Sequence, residues 1–205
     1  MKAPSDHLPL CTGRLVLRDF VVSDEVQVHQ FAGDPVVTRF TDWGPNHPDD
    51  TRQFVHDCVT RSALPDRSAF TLAATRADDG RLIGSVAVWV EDADHRRGGM
   101  GFVFHPQVWN QGYATEAARA LVRFGFGPLG LRRIAATCHP DNAGSVRVLV
   151  KAGLRPEGRM RDHLRTRDGW RDSLLFAVVA TDLTGDDGGL PGATGRGHDT
   201  AEPAD

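Results

Sequence analysis

Along "RLVLRDF" (residues 14–20) apolar and polar positions alternate with the period of two that a half-buried strand requires. The period then changes: Ser23, followed by Asp24 and Glu25, opens a short helix to about Phe31, with the acids on its first turn, where the helix dipole favours negative charge. Residues 33–48, "GDPVVTRFTDWGPNHP", carry acids, turn formers and Trp43 without a sustained period, and are expected to be a loop. Asp49 or Asp50 can cap the next helix, whose apolar Phe54, Val55, Cys58 and Val59 follow helical spacing. Two strands, "AFTLAAT" (69–75) and "RLIGSVAVWV" (81–90), flank Asp78-Asp79-Gly80, the turn of a hairpin. A third, "GMGFVFH" (99–105), stops at Pro106.

Within "WNQGYATEAARALVRFGF" (109–126), Ala114, Ala117, Ala118, Leu121, Val122 and Gly125 share one helical face, and Glu116, Arg119 and Arg123 the other. A buried strand, "RRIAATCH" (132–139), leads to the helix of "PDNAGSVRVLVKAG" (140–153). Asn142 or Asp141 starts that helix, Val146, Leu149 and Val150 face the core, and Gly153 stops it. A last hairpin pairs residues 154–164 with 169–181 across Arg167-Asp168-Gly169. Strand, two helices, three strands, helix, strand, helix and two strands make an α+β layout with a mixed sheet.

The chain has 205 residues, enough for one domain with tails. The division expected is a tail at 1–12, a domain at 13–181 and an acidic, Gly-rich, disordered tail at 182–205. From Asp182 onward there are six acids and one base, a charge of −5, so the net −3 of the whole chain leaves about +2 on the rest. The body is thus close to neutral, and its basic stretches lack the interleaved aromatics that stack on bases, which argues against a nucleic-acid partner. No apolar run approaches a bilayer span and the N-terminus lacks a secretory pattern, so a cytoplasmic protein without a membrane partner is expected. Cys11, Cys58 and Cys138 are odd in number and far apart, and the nine histidines show no ligand spacing. Neither a disulfide frame nor a metal site is expected.

The entrance of the 109–126 helix carries the chemistry. The first N–H groups of a helix lack partners and its dipole leaves positive charge there, so this end attracts anions, and Gly112 lets backbone approach a bulky one. A P-loop, a dinucleotide fingerprint and a nucleophile elbow are all missing. A helix end facing an anion directly after a strand survives, with a second capped helix one strand later.

With "TGRLVLR", "GFVFHPQVWNQGYATEA", "HPDNAGSVRVLVKAGL" and "GWRDSLLFAVV" in this order, the chain resembles the Gcn5-related N-acetyltransferases (GNAT), in particular their ribosomal-protein N-terminal acetyltransferase-like branch. The resemblance covers about residues 13–181. It implies a mixed, mostly antiparallel sheet splayed at the cofactor site, with helices on both faces. It further implies acetyl-CoA as co-substrate, no metal, an amine-bearing acceptor and a homodimer. Backbone N–H groups of Gln111, Gly112, Tyr113 and Ala114 would hold the pyrophosphate. Trp109 fills the loop's first position, normally Gln or Arg, and Gln111 or Asn110 would substitute. Backbone near Phe102, Val103 and Phe104 would pair with pantetheine and polarise the thioester carbonyl, and Asn142 would bond to the pantetheine arm.

Many relatives carry a Tyr in the last core helix to protonate the departing thiolate, but Leu149 stands there, and Ser145 matches the serine of the ribosomal-type branch. Capping of its helix is the other reading of Ser145. The acid that relatives place before the Gly-aromatic pair is replaced by Gly99. Glu91, with Asp92, could order a water in its stead, or both could be solvated turn acids. The acceptor groove is expected between residues 33–50 and the last hairpin, with Trp43, Asp42, Asp162 and Asp172 as substrate-binding candidates. Asp172 equally fits a structural role. The implied activity is direct acetyl transfer to a primary amine, a protein N-terminal α-amine or a small-molecule amine; a non-catalytic acyl-CoA-binding domain is the alternative.

Overall fold

Every stretch read as alternating is a strand, and all the strands join in one open sheet ordered β1-β2-β3-β4-β5-β6-β8-β7. The structure, a computed structural model, describes residues 3–166 and 169–184. The strands are β1 (Leu10–Cys11), β2 (Leu15–Asp19), β3 (Ala69–Arg76), β4 (Leu82–Asp92), β5 (Arg97–Phe104), β6 (Arg133–Cys138), β7 (Arg155–Thr166) and β8 (Gly169–Val179). Neighbours pair antiparallel except β5 and β6, which run parallel. Helices are α1 (Glu25–Ala32), α2 (Pro35–Thr38), α3 (Pro48–Ser62), α4 (Tyr113–Phe126) and α5 (Ala143–Lys151).

Alternation along the strands sends side chains to two cores. Phe70, Leu72 and Ala74 of β3 enter the larger one, with Ala117, Ala118 and Leu121 of α4 and Leu149 of α5. Ala73 enters the smaller one on the opposite face, with Val28 and Phe31 of α1 and Val55 of α3. Among the described residues, no helix is long and apolar enough to cross a membrane.

Several local expectations change. The segment before Gly13 is more than a tail: Leu10 and Cys11 pair with Leu17 and Val16, and Leu8 and Leu10 pack on the larger core. The expected loop at 33–48 contains α2, because Asp34 Oδ1 accepts the Val36 N–H at 2.8 Å and Pro35 holds the first helical position, the usual arrangement for a helix start. Neither Asp49 nor Asp50 stands at the N-cap of α3, which is His47. Pro48 begins it, Asp50 accepts the His47 N–H at 2.8 Å, and Asp49 pairs with Arg52. Val150 is 53% exposed, since each residue turns a helix by roughly 100° and Val150 is carried that far from buried Leu149. The chain continues past residue 181 in a 3-10 turn, Ala180–Thr184, in which Asp182 accepts the Val179 N–H. Residues 185–205, most of the expected acidic tail, and Arg167 and Asp168 of the last turn lie outside the described residues.

Helix α1 is entered through a 3-10 turn, Val22–Asp24, and not from Ser23. Asp24 is 2% exposed, and its carboxylate takes both Nη groups of Arg18 at 2.8 Å and the Val21 N–H at 2.9 Å. This pair fastens α1 to β2. Removing one partner of a buried pair costs ~3–5 kcal/mol, and the exposed part of Arg18 places Asp24→Ala at the low end, about 3 kcal/mol. Calorimetry of Asp24→Ala is expected to show a melting temperature lower by roughly 6–12 °C. A shift of less than about 2 °C would assign the anchoring of α1 to packing alone.

Candidate active site

The site begins where two neighbouring strands part. β5 pairs with β6 over Arg97, Gly98 and Gly99 only. Beyond Gly99, β5 stays with β4 as far as Phe104 and β6 stays with β8 as far as Cys138. A wedge opens between them, and since α4 follows β5 and α5 follows β6, both helix N-termini stand at its mouth. The His105 N–H donates to Ile83 O of the β4 side, so by strand alternation Val103 also faces β4 while the N–H groups of Phe102 and Phe104 face the wedge. The carbonyl of Phe104 is already used there: Trp109 Nε1 donates to it at 2.8 Å. Trp109, at the first loop position, is thus a brace for the wedge wall.

At the mouth, Gly112 caps α4 with φ +84°, a conformation that costs an L side chain energy. Gln111 and Gly112 lead into the helix, Tyr113 and Ala114 open its first turn, and the Gln111 side chain turns back to donate to Gln107 O at 2.8 Å. A network from the distant start of β2 holds this loop. Arg14 Nη1 donates to Gln111 O at 3.0 Å, its guanidinium lies 4.4 Å above the Tyr113 ring, and it pairs with Glu116 at 2.7 Å. Glu116 also accepts Thr12 Oγ1 at 2.6 Å and the Arg14 N–H at 2.8 Å. Partial burial alone would raise the Glu116 carboxyl, but the hydrogen bonds from Thr12 and Arg14 outweigh it and hold the group below its ordinary value. Sequence reading missed Arg14, because an ion pair spanning a hundred residues has no local pattern.

At the second helix start Asn142, and not Asp141, is the cap: its Oδ1 accepts the Ser145 N–H at 3.0 Å. Ser145 takes part through its backbone, and its hydroxyl has no partner among the described residues. Cys138 lies on the β6 wall, and burial pushes its thiol up to about 11. Among the described residues, no group of three or more His, Cys, Asp or Glu is placed to hold a metal.

On the opposite sheet face, Trp89 and Glu91 occupy the space beside Gly99. A Cβ at Gly99 would meet the Trp89 indole and come within 2.6 Å of Glu91 Oε1. Trp89 Nε1 donates to the same oxygen at 3.2 Å. Asp92 points elsewhere: the His95 N–H, then Arg97, hold its carboxyl well below the usual range in the following turn.

Two cavities lie on this face and share Thr41 and Trp43. The first, about 400 Å³, is apolar and reaches Gly101, Phe102 and Val103 between α1 and β4. The second, about 600 Å³, is polar and holds Asp42, Arg39, His139 and Arg171. Asp162 and Asp172 are outside both. Asp172 pairs with Arg159 at 2.7 Å and accepts the Asp162 N–H at 2.9 Å across an irregular step of β7 and β8, where Asp162 has φ +48°.

Residues 14–155 match the acetyltransferase (GNAT) domain family. The chain is 31% identical to an uncharacterized N-acetyltransferase, YnaD, of Bacillus subtilis (strain 168), over 83% of this chain and 96% of that one. It superposes with a TM-score of 0.74 on the crystal structure of a GNAT-family acetyltransferase from Bacillus anthracis, at 30% identity over 83% of this chain and 97% of the other. RimJ of Mycobacterium smegmatis, solved in complex with CoA-disulfide, shares the fold with a TM-score of 0.75 at 22% identity, over 86% of this chain and 90% of that one.

The Glu116 network has a pH signature. Its folded-state value lies below the unfolded one of about 4.3, so the stability it adds is present above that pH and is lost as pH falls through the folded value. Glu116→Gln is expected to be less stable than the parent by about 1 kcal/mol at pH 7. In urea melts the gap between the two is expected to narrow as the pH falls below the unfolded value of about 4.3. A gap that stays constant down to pH 3 would assign the loss to shape and not to charge.

Proposed function

Because the chain belongs to the GNAT acetyltransferase family and is an N-acetyltransferase, we propose that it moves the acetyl group of acetyl-CoA directly onto a primary α-amine. The observation that carries this reading is the wedge between β5 and β6, with two helix N-termini at its mouth. Pantetheine fits such a gap because the Phe102 and Phe104 N–H groups face it with no strand beside them. The pyrophosphate goes to the first turn of α4, whose free N–H groups and dipole favour an anion. The amide group of Asn142, whose oxygen already caps α5, is left to meet the pantetheine arm.

In the transfer, the amine nitrogen attacks the thioester carbon from the Gly101–Val103 side, and the carbonyl oxygen collects negative charge. The Phe102 N–H stabilises that charge, a contribution typically worth about 10²–10³ in rate. Collapse breaks the C–S bond and expels the CoA thiolate, which takes a proton from the Ser145 hydroxyl as a solvent water passes one to the same oxygen, so that Ser145 ends neutral. The attacking nitrogen loses its proton to a water ordered by Glu91, whose carboxylate stands beside Gly99. An α-amine of pKa about 7.7–8.0 is roughly a tenth neutral at pH 7, whereas a lysine near 10.4 is almost wholly charged, so an exposed base suits an α-amine better.

Thiol release with a panel of N-terminal peptides and small amines tests the activity, and saturable acetyl-CoA binding without release from any amine would leave an acyl-CoA-binding domain. Gly112→Val forces a branched side chain into a positive-φ turn, and is expected to raise the acetyl-CoA Kd at least about tenfold by calorimetry. An unchanged Kd would remove this helix end from the site.

Ser145→Ala is expected to lower kcat by roughly 10²-fold with acetyl-CoA affinity and melting temperature nearly unchanged. The cap belongs to Asn142, so little stability rests on the hydroxyl. The drop is expected to shrink with an acyl donor whose leaving thiol has a lower pKa. A variant with parental kcat would make solvent the proton source.

A further inference from the structure

The larger cavity contains a cation without a counter-charge. Arg171 donates from Nη1 to Phe40 O at 2.6 Å, its Nε is buried without a partner, and no acid lies within ion-pair distance of it among the described residues. A half-buried guanidinium is costly to leave uncompensated. Arg39, on the same wall with its guanidinium 4.7 Å above the Phe40 ring, likewise has no acidic partner among the described residues. His139 stacks on the other side of this cluster, 4.9 Å from Phe40. Its Nδ1 accepts the Asp141 N–H at 3.0 Å, which assigns the ring proton to Nε2 and makes that atom a donor. Partial burial, then Arg171, holds His139 below its ordinary value, so it adds a donor without adding charge. Against two guanidiniums the walls carry one carboxylate, Asp42, and the exposed Asp141 carboxylate stands 3.8 Å from His139 Nδ1, on the ring edge away from Nε2.

The rim supplies a second observation. Trp43 and Trp170, 40% and 65% exposed, present two indoles to solvent at this cavity. Large exposed aromatics beside paired cations are a contact surface for a ligand with an apolar body and a charged end. Trp43 and Thr41 also line the apolar cavity that reaches Gly101–Val103. One ligand can therefore span both, its amine near the wedge and its other end among the arginines.

We infer that the acceptor carries an anionic group, a carboxylate or a phosphate, set apart from its amine, and that Arg39, Arg171 and His139 receive that group. This rests on the acetyl-transfer reading of the adjoining site. The cations select the acceptor and take no part in the chemistry at the thioester.

Calorimetric titrations of the CoA-saturated protein test it, since CoA keeps the anion-seeking end of α4 occupied. The probes are phenyl phosphate, benzoate and the neutral benzyl alcohol. At least one anion is expected to bind tenfold or more tightly than the alcohol, about the range that a charge-assisted contact supplies. Whichever of phenyl phosphate and benzoate binds better identifies the group. Arg171→Gln is expected to weaken the anion and, because Arg171 also holds the Phe40 carbonyl, Arg39→Gln is the second variant. It is expected to raise the anion Kd at least about fivefold, with the CoA Kd and the melting temperature unchanged. Equal binding of alcohol and anions, or an anion Kd indifferent to Arg39→Gln, overturns the inference. Thiol release is scored separately with tripeptide amides bearing Asp or Asn at the second position. Release favouring Asp, lost in Arg39→Gln, supports it, and equal release from both overturns it. No release from any amine defeats the transfer reading itself, while the titrations still report on the cations.

Discussion

A parallel strand pair that stops after three residues governs this molecule. Backbone N–H and C=O groups inside a sheet are obligatory hydrogen-bonding groups, and a strand that lets go of its neighbour must satisfy them some other way. Here the outer carbonyl at Phe104 is taken by the Trp109 indole, whereas the N–H groups of Phe102 and Phe104 are left facing the wedge. β5 keeps its shape because β4 pairs with it along its whole length. β6 keeps its own because β8 does the same. The cost of the opening is borne by two otherwise complete ladders, and a slot with a donor edge results. Everything proposed for acetyl-CoA follows from that slot and from the two helix ends that topology brings to it.

The sheet face that carries Trp89 and Glu91 shows how a space left empty on one strand can be filled from its neighbour. Gly99 leaves a hole that no side chain of β5 fills, and β4 fills it from across the ladder with Trp89 and Glu91. Residues 89 and 99 are directly paired, so a ring two positions before Glu91 can lie over the glycine and hold the carboxylate through its N–H. Had residue 99 a side chain, Trp89 could not lie where it does. The missing acid and the bulky indole are therefore one feature.

Much of the architecture was legible because it rests on local periods: the strands from β2 onward, α4 and its buried alanines, and α5 with Leu149 could be read from spacing, whereas the two residues of β1 are too few to show one. The splay and the functional roles came from resemblance, since neither the end of a parallel pairing nor a pantetheine donor has a sequence period. Errors clustered at helix starts. Ser23, Asp49 and Asp50 all looked like helix starts, yet Ser23 lies inside a 3-10 turn, Asp49 pairs with Arg52 and Asp50 accepts the His47 N–H from within the helix. In contrast, Asp34-Pro35 is a start signal that was present and overlooked. Arg14, Arg39 and Arg171 escaped notice for another reason. Arg14 and Arg171 acquire their meaning only from groups far away in the chain, Glu116 and the Phe40 carbonyl, and Arg39 from the cavity wall that folding makes it share with Arg171.

Glu116 raises a difficulty that the structure resolves. A carboxylate on the first turn of α4 competes for the very positive end that an anionic ligand would need, and would repel it. Arg14 answers both problems at once: it neutralises Glu116, and its remaining Nη group fixes the Gln111 carbonyl while its plane covers Tyr113. Thr12 and the Arg14 N–H hold the carboxylate against the segment that leads into β2. The loop is thereby held without the N–H groups of the first turn of α4. A helix end suited to the anion proposed for it has to be stiff without using its own donors, and the ion pair brought from the start of β2 leaves those donors free.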